Sequence, residues 1–380
     1  MTARRVLITG VSRFWGGQLA LRLEAERSVE RIIAVDTQSP AVDLKRTEFL
    51  RADIRHGLIG KVLSAASIDT VVHAGLIVDP RRAPARVVHE TNVIGTMNLL
   101  AACSAGDSPV RKLVVKSSTA IYGASPEDPS LWSEHMRRSA AAGDAFTRDL
   151  DEVEDYVRDF RVRKPEAVVT LLRFANVLGP EHDTPFARLF DLPAVPTVFG
   201  FDPRLQFLHV DDAVAVLERA VVDEKHGTFN VAGSGIVLLS QAIAMLGKLD
   251  LPVLPFAGSD LAMSLLNRVL PLGFPPHLTR LLQYGRVVDT SLLAQAFPGL
   301  MRHSTAETVD AHARERRVRD IADAQRRRVR HEAEMEEFLR GGATKTAAAN
   351  GHRPRRSAGT KAKKTASRTP RRPVRRRGDG

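Results

Sequence analysis

The 380-residue sequence has one cysteine, Cys103, only three tyrosines and two tryptophans, and 5% aromatic residues overall. One cysteine excludes an internal disulfide and suits a reducing compartment, so a cytoplasmic location is expected. No apolar run approaches the roughly 20 residues that span a bilayer. The best candidate, LAMSLLNRVLPLGF at 261–274, is interrupted by Asn267, Arg268 and Pro271. Arg4-Arg5 lead straight into VLITG without the apolar segment of a secretory leader, so none is expected. No metal site and no internal repeat are expected. Acidic residues are scarce in one region. Residues 341–380 hold thirteen Lys/Arg and one acid, Asp379, whereas the first 340 carry 43 of each sign. The net charge of +12 therefore belongs to the tail.

What is present is a globular composition, 43% hydrophobic and 26% charged, with β-rich apolar runs alternating with helical patterns. Strands are expected at 5–10, 31–36, 48–53, 70–75, 112–118 and 167–176. Helices are expected at 16–26, 55–65, 85–104 and 145–163. That alternation predicts an α/β fold, a Rossmann-type doubly wound parallel sheet with helices on both faces. Residues 1–175 would form this domain, with returning segments at about 207–232. Proline- and turn-rich stretches at 176–206 and 233–301 predict a small substrate lobe, with two helical pieces in 256–284. The charged run 302–340, with sparse apolar positions such as Val309, Val318, Ile321 and Val329, predicts a solvated helix with one narrow contact face. Residues 341–380 have the composition of a disordered basic tail.

The stretch RVLITGVSRFWGGQLALRL (5–23) runs from a buried strand through a glycine turn into an amphipathic helix. Such a turn lets backbone approach a pyrophosphate, which then sits on the helix N-terminus. Gly10, Phe14 and Gly16 shape the turn, and Arg13 stands in its middle. If position 13 needs a positive φ, arginine strains the turn. If not, its guanidinium can lie over the pyrophosphate as a bidentate partner. Asp36 ends the second strand, where a carboxylate accepts bonds from a ribose 2′-hydroxyl and repels a 2′-phosphate, which favours NAD over NADP. Asp53 ends the third strand, near where an adenine would lie.

These residues resemble the extended short-chain dehydrogenase/reductase family of NAD-dependent epimerases and dehydratases. Thr9-Gly10-Val11-Ser12-Arg13-Phe14-Trp15-Gly16 is similar to the family's opening Thr-Gly-x-x-Gly-Phe-x-Gly. The likeness recurs over about residues 4–300. ADI (52–54) resembles the adenine-contacting segment, with Asp53 and Ile54. VVHAG (71–75) resembles the strand end beside the cofactor, with His73, Ala74 and Gly75. TNVIGTMNLL (91–100) is similar to the helix whose asparagine, here Asn92, supports the active-site strand. KSSTAIYG (116–123) resembles the serine-bearing strand end, with Ser117 beside the cofactor and Ser118 at the catalytic serine position. LRFANVLGP, FLHVDDAV, FNVAG and VVDTSLLAQAFPGL follow in family order. The resemblance implies NAD as cofactor, a nucleotide sugar or related polyol as substrate, and hydride transfer. Asn176, Arg204 and His209 would be substrate contacts, and the helices 85–104 and 145–163 would form a homodimer interface.

The family's proton relay is absent. It uses Tyr-x-x-x-Lys on one helical face, the lysine lowering the tyrosine pKa. Four residues beyond Tyr122, Tyr156 and Tyr284 stand Pro126, Phe160 and Val288. Alignment through Glu154 puts Phe146 at the tyrosine position and Leu150 at the lysine position, which predicts a filled pocket. Ser118 alone cannot serve as the base. Tyr156, Asp144, Asp149 and His135 are near enough in sequence to substitute, or are surface and packing groups. The family arginine that grips a diphosphate falls on Leu205, with Arg204 one residue earlier and therefore on the opposite strand face unless a bulge intervenes. His209 is either a substrate contact or a packed strand-end histidine. Two functions follow: an enzyme with a non-family acid/base, or a catalytically degenerate NAD-binding sensor or scaffold. The aromatic-free basic tail would hold nucleic acid or another polyanion without reading sequence, or simply be solvated.

Overall fold

The computed structural model describes residues 4–79, 83–138, 142–180, 182–253 and 276–349. The chain opens with β1 (Arg4–Thr9), α1 (Phe14–Ala25), β2 (Val29–Asp36) and β3 (Thr47–Arg51). Then come α2 (Ile59–Ala65), β4 (Thr70–His73), α3 (Ala85–His89), a π-helical turn (Glu90–Ile94) and α4 (Gly95–Ser104). β5 (Lys112–Ser118), α5 (Ala145–Arg163) and β6 (Val168–Phe174) complete the regular alternation. After the lobe elements β7 (Asn176–Leu178), α6 (Pro185–Asp191), β8 (Ala194–Val198), β9 (Arg204–Leu205) and β10 (Phe207–His209), the chain returns through α7 (Val210–Val222) and β11 (Gly227–Val231). Seven strands form one sheet in the order β11-β6-β5-β4-β1-β2-β3, and every pairing in it is parallel.

The alternation of side chains explains the two covered faces. Val6 and Ile8 of β1 point to one side, into a core with Leu19 and Leu23 of α1 and Val214 and Leu217 of α7. Leu7, between them, points to the other side, into a core with Leu63 of α2, Leu99 of α4 and Phe160 of α5. All three β1 residues are fully buried, as strands of a sheet covered on both faces must be. The sequence direction reverses between β1 and β4, and the crevice at their carboxyl ends is where open α/β sheets take ligands.

A second core holds the lobe. Phe186 and Phe190 of α6 meet Leu205 of β9, Phe207 of β10 and the later helices α8 (Leu239–Met245) and α9 (Pro276–Tyr284). Three two-stranded sheets accompany it: β7 with β10, β8 with β13 (Leu249–Val253), and β9 with β12 (Val237–Leu238). α10 (Ser291–Ala296) packs back near β11. α11 (Thr305–Ala349) is longer than its charge pattern predicts. Its first turns carry Val309 and Ala313 into the lobe core, so that part is packed and not solvated. At the other end it runs through Ala349, since Ala343 and Ala347 to Ala349 favour helix over the irregular tail expected from residue 341. The rest of the tail, 350–380, and the first helical piece of 256–284 lie outside the described residues. One compact unit ends at Arg319 and a second begins at Asp320.

Three helix boundaries differ from expectation. α1 begins at Phe14, so Gly16 and Gly17 lie inside it and not in the turn. α2 begins at Ile59, because Asp53 holds the preceding segment as a turn through the N–H groups of Arg55 (to its carboxylate) and His56 (to its carbonyl). The helix expected at 85–104 contains the π turn at Glu90–Ile94. Among the described residues no helix is long and apolar enough to cross a membrane.

Candidate functional site

Gly10 follows β1 with φ +79°, in the left-handed region that favours glycine. It faces Gly75, which follows β4. A Cβ added to Gly10 would stand 2.4 Å from the Gly75 Cα, and one added to Gly16 would stand 2.4 Å from the Gly10 carbonyl oxygen. Only glycine lets these three backbones close, and the result is a shallow cradle across the β1–β4 crevice. Position 13 does not need a positive φ. Arg13 is the N-cap of α1 at φ −95° and ψ 160°, ordinary extended backbone, so the arginine does not strain the turn. Its side chain makes no cap hydrogen bond, and the first N–H groups of α1 have no intrahelical partner.

Asp36 reaches back to the turn. One carboxylate oxygen accepts from Ser12 N at 3.0 Å and Ser12 Oγ at 2.6 Å, and the other accepts from Thr37 N at 2.7 Å. Asp53 is engaged by Arg55, whose Nη2 lies 2.6 Å from Oδ2, and this pairing holds its carboxyl below the usual range. Ile54 is buried against Gly95, where a Cβ would come within 2.9 Å of the Ile54 Cδ1.

His73 is wholly buried. Its Nδ1 lies 2.7 Å from Thr9 Oγ1 and its Nε2 2.9 Å from Thr96 Oγ1, so the ring ties β1 and β4 to α4 and has no nitrogen left for a ligand. Burial first, then the positive charges of Arg13 and Lys116, push its pKa down to about 4, and it stays neutral. Asn92 clamps the loop after β4 by both amide atoms, accepting from Ile77 N at 2.8 Å and donating to Ile77 O at 3.0 Å. Ala74, with its side chain buried, and Gly75 lie between these anchors.

At the end of β5 the two serines diverge. Ser117 is buried and donates to Glu154 Oε1 at 2.7 Å. Ser118, half-buried, accepts from Ala120 N at 3.1 Å and caps the short 3₁₀ turn that follows. Where the family relay would stand, Leu150 is buried with Leu76, Ala120 and Val153, and Phe146 packs on that cluster. The sequence-nominated substitutes are placed elsewhere. Asp144 caps α5 through Thr147 N at 2.9 Å, Tyr156 packs on the core behind the sheet, and His135 is exposed beside Ser133. Asp149 is buried and lies 2.7 Å from Nδ1 of the half-exposed His89.

That pair has a pH signature. The hydrogen bond to Asp149, above all, raises the His89 pKa. Its stabilisation is present in full below the ordinary histidine value and is lost as pH rises through the raised folded value. Wild-type protein should lose stability relative to Asp149→Asn over the range from about pH 6.5, the ordinary histidine value, to a pH above the raised folded value. The loss should stay below about 1 kcal/mol, because solvent screens the histidine. Urea midpoints at the two ends of that range measure it, and parallel profiles would refute the assignment.

The expected substrate contacts separate. Asn176 keeps a half-exposed side chain at the start of β7. Leu205 is buried in the lobe core, so its neighbour Arg204 is turned outward and exposed, with no bulge to bring it back. His209 is buried, caps α7 by accepting from Asp211 N at 3.2 Å, and stacks on His303 at 3.9 Å. It is thus a packed strand-end histidine.

Trp15, His182 and Lys116, none of them nominated from sequence, join Phe14 to complete the site. Trp15, His182 and Phe14 stack in sequence, with Phe14 to His182 at 4.3 Å and Trp15 to His182 at 4.8 Å. Lys116 lies beneath, its Nζ 5.6 Å from the Trp15 ring centre and 5.5 Å from that of Phe174. The signal was a lysine inside the otherwise apolar run KLVVK. A cleft of about 1170 Å³ opens at the other end of the sheet, lined by Arg4, Asp69 and Lys112 at the amino ends of the strands, and holds none of the nominated residues.

Residues 6–232 match the sequence profile of the NAD dependent epimerase/dehydratase family. An uncharacterised protein of Mycobacterium tuberculosis is 40% identical over 333 residues, 84% of this chain and 86% of its own length. A UDP-glucose 4-epimerase of Oryza sativa subsp. japonica is 31% identical over 195 residues, 46% of this chain and 45% of its own. Among solved structures, the UDP-glucose 4-epimerase of Thermotoga maritima with UDP-glucose superposes with a TM-score of 0.63 at 18% identity, over 82% of this chain and 98% of the other. The UDP-glucuronic acid 4-epimerase of Bacillus cereus in complex with NAD gives 0.60 at 18%, over 81% and 97%. At these identities the two structures establish a common fold.

Proposed function

Because this chain belongs to the NAD-dependent epimerase/dehydratase family, we propose that it holds NAD across the Gly10–Gly75 crevice as a binding protein, a sensor or scaffold without the family's proton relay. The cradle fits the dinucleotide: no Cβ intrudes between β1 and β4, and the open N–H groups of α1 suit a diphosphate. Asp36 would take the adenosine ribose on its remaining lone pairs, and Arg13 would lie against the diphosphate. NAD when bound supplies a hydride acceptor. What the chain lacks beside it is a group to move the hydroxyl proton.

The observation that carries the reading is the apolar cluster of Phe146, Leu150, Leu76, Ala120 and Val153 where the relay would stand. Its members cannot titrate, and the nominated substitutes are engaged or placed elsewhere. A nucleotide-sugar-type ligand against Asn176 fits the kind of molecule the solved epimerases take. On charge alone, residues 341–380 would add a salt-sensitive hold on a polyanion. The retained Ser118 favours a second reading, hydride transfer with an acid/base foreign to the family.

Calorimetric titration with NAD and NADH should show binding. Asp36→Ala should weaken it about 10- to 100-fold, the worth of one or two hydrogen bonds to a charged group. Nicotinamide absorbance with a panel of UDP- and dTDP-sugars should then stay constant. Substrate-dependent reduction would overturn the sensor reading in favour of the second, and absence of any NAD affinity would overturn both.

A further inference from the structure

The cleft of about 1170 Å³ at the amino ends of the strands lies at the far end of the sheet from the cofactor crevice. Its volume can enclose a small organic molecule, since such ligands occupy pockets of roughly 300–1,000 Å³. Lys112, the first residue of β5, lines it and is 2% exposed. Among the described residues its ammonium donates one hydrogen bond, to the carbonyl oxygen of Asp223, so two of its three N–H donors are unused. Burying a charge with so little satisfaction is costly unless a counter-charge arrives.

The carboxylates of the cleft are engaged elsewhere. Glu224 is paired with Arg4, Glu30 with Arg5 at 3.1 Å, and Asp223 with Arg219 at 2.6 Å. Asp69 accepts from the Arg5 N–H at 2.8 Å and from Thr70 Oγ1 at 2.6 Å. Arg111, beside Lys112, and the half-buried Lys225, in the turn between α7 and β11, also line the cleft. Neither has an ion pair among the described residues. In all, six basic and four acidic side chains line it, an excess of two positive charges. β11, β6 and β5 are consecutive in the sheet, so the Lys225 turn and the start of β5 stand two strands apart. That is roughly 10 Å, a span that two long side chains can close on one anion. Val222, Phe297 and Leu300 give the same cleft an apolar wall.

We propose that this cleft is a second small-molecule site, for a phosphomonoester whose phosphate sits among Lys112, Arg111 and Lys225 and whose organic part lies on Val222, Phe297 and Leu300. A phosphate dianion matches the excess of two charges, and its oxygens accept strong charge-assisted bonds from ammonium and guanidinium groups. The inference is independent of the NAD reading, because the cofactor would lie at the opposite ends of the strands. Burial, and after it the charge of Arg4, pushes the Lys112 pKa down to about 8. Near that pH a fraction of Lys112 is therefore a neutral amine, which an aldehyde can trap.

The experiment is calorimetry of the full chain with inorganic phosphate and with phenyl phosphate at about pH 7.5, where a phosphomonoester is largely dianionic. Phenyl phosphate should bind about tenfold more tightly than phosphate, the worth of placing its ring on the apolar wall. Lys112→Met should weaken both ligands about 10- to 100-fold. Lys225→Gln, at a half-buried position, should weaken both about tenfold and keeps the proposal testable if Lys112→Met does not fold. NADH affinity should be the same in both variants as in the wild type. Pyridoxal 5′-phosphate then reports the place. Its aldehyde condenses with a lysine amine to give an imine and water, borohydride reduces the imine, and peptide masses locate the adduct. The adduct should fall on Lys112 or Lys225, and phenyl phosphate should prevent it.

Adducts confined to the tail lysines Lys361, Lys363 and Lys364, or unaffected by phenyl phosphate, overturn the proposal. So does wild-type affinity for phenyl phosphate in both variants, or no binding by the wild type. Equal affinity for phosphate and phenyl phosphate overturns the phosphomonoester assignment, since the apolar wall then contributes nothing. A parallel loss of NADH affinity in the variants would place the effect in the fold and not in the cleft, and would overturn the proposal as well.

Discussion

Gly10→Ala should abolish NAD binding and lower stability by about 3 kcal/mol or more. Two costs combine. At φ +79° an L-residue is less stable than glycine by roughly 1–2 kcal/mol. The added methyl would also stand 2.4 Å from the Gly75 Cα, which is backbone and cannot rotate away. Relief requires β1 and β4 to separate, and overfilling a close-packed interior costs a further 1–3 kcal/mol or so. The same separation opens the crevice that would grip the cofactor, so binding and stability should fall together. Gly57→Ala is the control, since nothing stands within 4 Å of a Cβ there. Urea midpoints and NADH titration read both effects. A Gly10→Ala protein as stable as wild type, with normal affinity, would mean the two strands do not close as described.

Glu154→Ala should cost about 3–5 kcal/mol, the range for a buried charge stripped of its partner. Glu154 is 4% exposed and accepts from Ser117 Oγ at 2.7 Å and from Arg173 Nε at 3.0 Å and Nη2 at 2.5 Å. Arg173 in turn donates to Tyr122 OH at 2.7 Å and to Glu134 O at 3.0 Å, and Tyr122 donates to Asn230 Oδ1 at 2.8 Å. One carboxylate thus fixes β5, β6, β11 and the turn after Ser118. Its removal leaves the guanidinium buried without a counter-charge, and Ser117 loses its acceptor. The double variant Glu154→Leu with Arg173→Met removes both charges at similar volume and should recover most of the loss. Chemical denaturation of the three proteins decides it: equal stability of the single and double variants would show that the unpaired charge is not the cause.

The sequence motifs predicted the glycine turn and little of what surrounds it. Gly10, Gly16 and Gly75 are recognisable because a close backbone approach admits only one residue type. The aromatic stack of Phe14, Trp15 and His182 was invisible, because it joins the first turn of α1 to a loop some 170 residues later. His209 and Asp149 show the same limit from another side. Each residue type is competent for chemistry, and only its neighbours, His303 and Asp211 N–H for one and His89 for the other, assign it to packing or pairing.

By itself the sequence determined the parallel sheet with two covered faces, since apolar runs of strand length alternating with helix periods can bury their surface in few other ways. It also determined that Phe146 and Leu150 cannot carry protons, since that is a property of the side chains alone. The tertiary structure decided what depends on neighbours distant in the chain. Arg13 sits on extended backbone and so leaves the turn unstrained. Leu205 fills the lobe core and turns Arg204 outward. Lys116 lies over two rings, with no hydrogen bond to it among the described residues. Backbone angle, burial and charge environment are set by packing, and packing is not a local property of any motif.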